Sequence, residues 1–223
     1  IHFNGWLHHR EVAKIAASFR IPTLYTNHCT PRRPLVREWL GIGRIPFALY
    51  RQRAFAKHAG TTISISHLGL KNLRIRLGQG VPSVVVYNGV PRVELSDLPS
   101  NGVAAPRIVW LGSLIERKRP LLAIEIFSRV LKAHPKAQLE IFGDGALWAS
   151  TRRAAEKLPP GAVQVKGFCP SVIDSLKGAH AYLQTSANEG LAYSVLEAMS
   201  AGLPVVATDA GATREAVLHR QTG

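Results

Sequence analysis

The stretch RIVWLGSLIERKRPLLAIEIFSRVLKAHPKAQLEIFG, residues 107–143, reads as strand, helix, strand. RIVWLG at 107–112 and AQLEIFG at 137–143 are dense in Val, Ile and Leu, and the segment at about 118–133 between them has helical character. The alternation continues outward. A helix is expected at about 146–157, a strand in AVQVKGF (162–168), a helix at about 170–177 and a strand in HAYLQTS (180–186). Then come a helix at about 191–201, a strand in PVVATD (204–209) and a helix at about 212–218. Five apolar strands, each followed by a helix, predict a doubly wound α/β fold with a parallel sheet. Such sheets bind ligands at the carboxyl ends of their strands, so the loops after residues 112, 143, 168 and 186 are where function is expected.

Toward the N-terminus the pattern repeats more weakly. TLYTN (23–27), TTISIS (61–66) and SVVVYN (83–88) read as strands, and helical stretches fall near 8–19, 34–58 and 68–77. Gly41, Gly43 and Pro46 should break or kink the middle one. From Asn88 to Pro106 the composition shifts to Gly89, Pro91, Pro99, Asn101, Gly102 and Pro106, which disrupts any regular element. The expected organisation is therefore a first domain over 1–90, a linker over 91–106 and a second domain over 107–223.

The 223 residues suit two small α/β domains. Ile1 opens the chain, the sole Met is Met199, and Gly223 falls at a turn that should lead to another strand, so a fragment cut at both ends is expected; a processed form is the alternative. No apolar run is long enough to span a bilayer, and the start lacks a signal-peptide pattern. Cys29 and Cys169 match no metal spacing and fit a reducing compartment, with Cys169 expected to be a small buried apolar side chain. The formal net charge is +14, and it is lopsided: residues 1–100 carry 14 Lys and Arg against 4 Asp and Glu, residues 101–223 carry 14 against 10. A basic first half suits an anionic partner, whether phosphorylated substrate, acidic lipid or nucleic acid.

Three cations, Arg117, Lys118 and Arg119, sit where a strand hands over to a helix. They oppose the partial positive charge of a helix N-terminus, and a bound phosphate would relieve that conflict. A solvated basic turn is the other reading. In the loop after the fourth strand, Gly190 would let a ligand approach the backbone at a helix start, and Glu189 is either a ligand contact or an ordinary N-terminal carboxylate. Glu197 lies among apolar neighbours, Val195-Leu196-Glu197-Ala198-Met199, and a carboxylate there needs a partner. A sugar diol can be that partner. The step from Glu189 to Glu197 spans roughly 12 Å if helical.

EGLAYSVLEAMSAGLPVVATDAGATREAV (189–217) resembles the signature of the family 4 retaining glycosyltransferases, which have the GT-B fold. Glu-x7-Glu, Leu-Glu-Ala-Met, Gly-x-Pro-Val-Val and Gly-x-x-x-Glu follow in order. The resemblance extends back over WLGSLIERKRPLLAIEIF (110–127), IFGDG (141–145), VKGF (165–168) and YNGV (87–90), and is weak before residue 85. It implies two Rossmann-like doubly wound domains, the first incomplete at its N-terminus and the second at its C-terminus. It also implies transfer of a hexose-like sugar from a nucleoside diphosphate-sugar to an acceptor hydroxyl, with retention and without a metal. The absence of an Asp-x-Asp pair agrees with the last point. By the resemblance, Arg117 and Lys118 hold the diphosphate and stabilise leaving-group charge, Phe168 lies by the nucleobase, Glu189 binds the transferred sugar and Glu197 the ribose. The backbone of Gly190, Leu191 and Ala192 faces sugar and phosphate, and Gly112 and Ser113 line the donor site. Many members carry Arg where Ser113 stands, which shifts the weight onto Arg117 and Lys118. Glu189, Lys118 and Arg117 are the candidate catalytic residues; no side chain reads as a nucleophile.

Residues 1–90 resemble the latter part of an acceptor-side domain. His2-Phe3-Asn4-Gly5 is similar to a His-x-His-Gly stretch whose second His is Asn4 here. His28 either lies beside the cleft or is a polar strand-end residue. His2, His8 and His9 have poor metal spacing. Arg32, Arg33, Arg37, Arg44, Arg51 and Arg53 surround Trp39, Phe47, Tyr50 and Phe55, a mixture that suits either a membrane-surface face or a solvated basic helix. No nucleic-acid motif is present, so no nucleic-acid partner is expected. The expected partners are a nucleotide-sugar donor, a glycan or lipid-linked acceptor in envelope polysaccharide or glycolipid synthesis, and peripheral contact with an anionic membrane at its cytoplasmic face. A non-catalytic nucleotide-sugar-binding module and a basic RNA-binding protein are the rival readings.

Overall fold

A computed structural model describes residues 2–4, 10–28, 60–77, 79–93 and 105–223. The chain divides into two units between Asn88 and Gly89. The first holds a parallel sheet in the order β1 (His2–Asn4), β2 (Leu24–Asn27), β3 (Thr61–Ser64), β4 (Ser83–Val85). Helices Arg10–Ser18 and His67–Leu77 belong to it. β1 was not expected from the sequence: three residues without an apolar run give too little pattern to read. The expected helix at 34–58, and with it the Arg- and aromatic-rich segment and Cys29, lies outside the described residues.

The second unit carries a five-stranded parallel sheet. Its strands are β5 (Arg107–Leu111), β6 (Gln138–Phe142), β7 (Val163–Gly167), β8 (Ala181–Gln184) and β9 (Val205–Ala207). Their order is β7-β6-β5-β8-β9, every pair parallel. Each strand falls inside its expected stretch. Alternation along the central strands splits the core between the two faces. Val109, Leu111 and Tyr182 join Val195, Ala198 and Leu176 on one face. Trp110, Leu139, Ile141 and Leu183 join Ile124, Phe127 and Leu131 on the other. At about 25 cal/mol per Å² of apolar surface removed from water, these two layers supply the main driving force for the fold.

The helices are Pro120–Ala133, Trp148–Ala155, Val172–Leu176 and Tyr193–Ser200. The last expected helix, 212–218, is instead a single 3-10 turn, Thr213–Glu215. Gly211 in the left-handed region precedes it, and Thr222 Oγ1 then takes the Leu218 N–H and donates to Ala216 O, which diverts the backbone from a helical ladder. At the start of the unit, Ser200 Oγ donates to Pro91 O at 2.6 Å and Val93 packs on the core. Cys169 is half-buried and its thiol donates to Ser171 O, so it is a polar turn contact and not a purely apolar filler. No described helix is long and apolar enough to cross a membrane.

Candidate functional site

The order of the second sheet dictates where a ligand can sit. From β5 the chain winds outward through β6 and β7, then returns to place β8 on the other side of β5. Loops leaving the carboxyl ends of β5 and β8 therefore flank the switch point, where doubly wound sheets place their ligand crevice. The β5 loop runs through Gly112 and Ser113 to the 3-10 turn Glu116–Lys118, and the β8 loop runs from Thr185 to Ala192.

These two loops meet through charge. Glu189 is buried, with 7% of its surface exposed. Its Oε1 lies 2.7 Å from Lys118 Nζ and 3.0 Å from Arg117 Nη1. Arg117 Nη1 also donates to Asn188 O at 2.9 Å. Burial pushes the Glu189 carboxyl upward, but Lys118, Ser186 and Arg117 together outweigh it and hold the group below the usual carboxylate range. The carboxylate is thus ionised and tied to two cations, one of which, Arg117, is 45% exposed at its side chain.

Backbone packing fixes the loops at close range. A Cβ on Gly143 would stand 1.9 Å from Gly112 O, and Gly143 holds φ +142°. A Cβ on Gly211 would stand 1.8 Å from Glu189 O, at φ +60°. Only glycine satisfies both the approach and the conformation. The stem of Lys118 runs beside Gly112, 3.6 Å from where a Cβ would stand.

Glu197 lies on helix Tyr193–Ser200 and is half-buried; burial raises its carboxyl above the usual range. No described residue forms an ion pair with it. One turn earlier, Ser194 Oγ lies 2.8 Å from the buried Tyr182 hydroxyl, which is also 3.2 Å from Leu111 O. Burial raises the Tyr182 hydroxyl, its bonds to Ser194 and Leu111 O lower it in part, and the charges of Glu189 and Glu197 add smaller upward pushes. Phe168, just past β7, is 80% exposed and presents its ring to solvent.

Two expectations need correction. The helix after Gly190 does not begin there: it starts at Tyr193, because Leu191 and Ala192 are buried and Ala192 is extended at φ −69°, ψ 124°. Gly190 instead accepts from Ala212 N–H through its carbonyl. Only the final part of the step from Glu189 to Glu197 is therefore helical, and the 12 Å span does not apply. In the first unit, Asn4 ends β1 and its side chain lies outside the described residues; His28 follows β2 and is exposed. Sequence reasoning missed Trp110, Tyr182, Thr185 and Ser194, all of which look like ordinary core or loop residues in a linear reading. The described residues hold no cluster of three or more His, Cys, Asp and Glu side chains arranged for a metal.

The switch point flanked by these cations, carboxylates and close-packed glycines is the place where doubly wound α/β proteins bind their ligands. The family model described as "Glycosyl transferases group 1" matches residues 105–223, just over half of the chain, and the chain belongs to that family. Among curated relatives, the chain is 35% identical over 100 residues to "Uncharacterized glycosyltransferase MJ1059" of Methanocaldococcus jannaschii, covering 44% of this chain and 25% of the relative. It is 32% identical over 104 residues to "Poly(glycerol-phosphate) alpha-glucosyltransferase" of Bacillus subtilis, covering 46% and 16%. The chain thus spans a quarter or less of these relatives. Among solved structures, Anabaena Alr3699/HepE in complex with UDP matches 93% of this chain and 59% of its own at TM-score 0.72 and 19% identity. S. aureus TarM matches 87% and 38% at TM-score 0.69 and 18% identity. Both share the GT-B fold with this chain.

Proposed function

We propose that this chain forms the donor-binding part, with a portion of the acceptor side, of an enzyme that moves a sugar from a nucleoside diphosphate-sugar to an acceptor hydroxyl. The observation that carries the reading is the Arg117–Glu189–Lys118 cluster at the switch point. A diphosphate entering the crevice would meet two cations held on one short turn. As the bond from the anomeric carbon to the diphosphate breaks, charge builds on the leaving phosphate, and Arg117 and Lys118 stand where that charge is stabilised. Glu189, released in part from the cations, then accepts hydroxyl protons from the transferred sugar. Glu197 lacks a cationic partner among the described residues and suits the ribose diol. Phe168 offers an aromatic face to the base. Gly112, Ser113 and the backbone from Gly190 to Ala192 line the path between them. With protein cations neutralising the diphosphate, the reaction needs no metal, and the family resemblance assigns retention of anomeric configuration. HepE in complex with UDP makes a uridine nucleotide the first donor to try. The "Vi polysaccharide biosynthesis protein VipC/TviE" of Salmonella typhi, 29% identical over 158 residues, makes a polysaccharide the first acceptor to try.

The test is turnover by the parent polypeptide with a panel of nucleoside diphosphate-sugars, in excess chelator, with the product anomer read by NMR. Arg117→Ala with Lys118→Ala is expected to lower turnover by roughly 10²-fold or more. Undiminished turnover in that double variant rejects the site, and loss of turnover in chelator rejects metal independence.

A further inference from the structure

We propose that Thr185 is the positioning residue for the two donor-gripping cations, an inference that rests on the donor reading above. Thr185 is fully buried at the carboxyl end of β8. Its Oγ1 lies 3.0 Å from Lys118 O and 2.8 Å from Arg119 O, so a single hydroxyl proton serves two consecutive carbonyls. The same oxygen accepts from Trp110 Nε1–H at 3.0 Å. Two residues on, Ala187 N–H donates to Arg117 O at 2.7 Å. Three successive carbonyls of the cationic turn, from Arg117, Lys118 and Arg119, are thereby held by residues 185–187.

The turn has reason to need holding. Arg119 sits at φ +52°, ψ 56°, the left-handed region that a residue with a Cβ rarely adopts. Such a residue persists only where its surroundings fix it. The helix Pro120–Ala133 begins at this point with no side-chain cap, and its first turn reaches Arg119 O through a long 3.4 Å bond from Ala123 N–H, a weak hold on the residues before it. Thr185 supplies the lock from a neighbouring strand, and Trp110, in the core of β5, orients the hydroxyl. From the fixed Lys118 backbone, the side chain passes Gly112 and reaches Glu189 at 2.7 Å. A shift of the turn moves Nζ away from where the phosphate would bind. Valine has nearly the shape of threonine, yet it leaves the Trp110 N–H and Lys118 O without this partner and Arg119 O with the long 3.4 Å bond from Ala123 N–H.

The experiment is a double-mutant cycle on calorimetric binding of UDP to the parent polypeptide, with GDP in parallel so that base preference does not decide the outcome. Thermal unfolding confirms that each variant is folded at the temperature of the titration. Thr185→Val is expected to weaken binding about tenfold, and Thr185→Ser to stay within about twofold of the original. Lys118→Ala alone is expected to weaken binding about 30-fold. The combined variant should fall well short of the product of the two losses, because Thr185 acts through Lys118. Should Thr185→Val fail to fold, Thr185→Ala reads the same network by removing the hydroxyl without adding an apolar branch, with an expected loss of about tenfold. Unchanged affinity in a folded Thr185→Val, or losses that multiply in full, overturns the positioning role and leaves the donor site standing. Unchanged affinity in Lys118→Ala overturns the donor reading, and the role of Thr185 with it.

Discussion

The second sheet contains two clusters of nearly identical composition, each a glutamate flanked by two cations, and they do different things. Glu140 Oε2 on β6 takes Arg107 Nε at 2.9 Å and Nη2 at 2.6 Å, and Lys166 Nζ lies 3.5 Å from Oε1. Arg107 spends its remaining donors on protein as well, with Nη1 to Lys177 O and Nη2 to Ser175 O. It ties the start of β5 to the turn after helix Val172–Leu176, and it is 22% exposed at its side chain. The Glu189 cluster lies at the opposite end of β5, past the strand's carboxyl terminus. There Arg117 is 45% exposed, and the loops are drawn together by glycines. A carboxylate between two cations is therefore not in itself a site. What distinguishes the second cluster is its place at the switch point, on loops packed together through glycines, where the proposed function has its cations meet an anionic ligand.

The largest break in this contrast should come from Gly211→Ala. The new Cβ would stand 1.8 Å from Glu189 O at a φ of +60°. The loop carrying Glu189 must move, at a cost on the order of 2–4 kcal/mol. Chemical denaturation should show that loss, and nucleoside diphosphate binding should fall with it. Retained stability and retained binding would mean that the tight backbone contact does not define the loop. Glu140→Ala tests the other cluster and should sharpen the difference. It leaves Arg107 and Lys166 without their carboxylate, and because both are partly exposed the loss should be only about 1–2 kcal/mol. Nucleoside diphosphate affinity should stay within about twofold. A larger change in binding than in stability would erase the distinction between the clusters.

Most of the second unit was legible because its strands alternate with helices and carry apolar side chains that the two-layer core requires. RIVWLG, AQLEIFG and PVVATD each announce a strand without help from context. The candidate acids and cations could be picked out as well, since Arg117-Lys118 before a helix and Glu197 among apolar residues conflict with folding needs alone, and the structure brings Arg117 and Lys118 together on Glu189. The supports were not legible. Thr185 and Trp110 meet only when β5 and β8 pair, 75 residues apart in sequence. Tyr182 and Ser194 look like an apolar-face aromatic and a surface hydroxyl until β8 packs under helix Tyr193–Ser200. The helix start moved from residue 191 to Tyr193 because Leu191 and Ala192 are drawn into the core, Ala192 in extended form, a tertiary demand that no local signal encodes. The first unit was harder still: β1 has three residues and no periodicity to detect.

The smallest expected effect, and the one that separates the two acids of the site from each other, is in the pH dependence of stability. Glu189 sits below its ordinary value of 4.5, because its contacts with Lys118, Ser186 and Arg117 outweigh burial. It binds fewer protons folded than unfolded, so its contribution is present above pH 4.5 and is lost as pH falls through the lower folded value. Glu197 sits above 4.5 because burial disfavours its charge. It binds more protons folded than unfolded, so its contribution is complete below 4.5 and is lost as pH rises through the raised folded value. Unfolding free energies measured between about pH 3 and pH 8 should therefore respond oppositely to two isosteric changes. Glu189→Gln should lower stability at neutral pH and flatten the acid limb. Glu197→Gln should raise stability slightly at neutral pH, because it removes a half-buried charge with no ion pair among the described residues, while weakening nucleoside diphosphate binding if the carboxylate meets the ribose as proposed. A Glu197→Gln variant that is less stable at neutral pH would show that the carboxylate is held by the fold itself, and would leave Glu189 as the one acid of the pair serving the ligand.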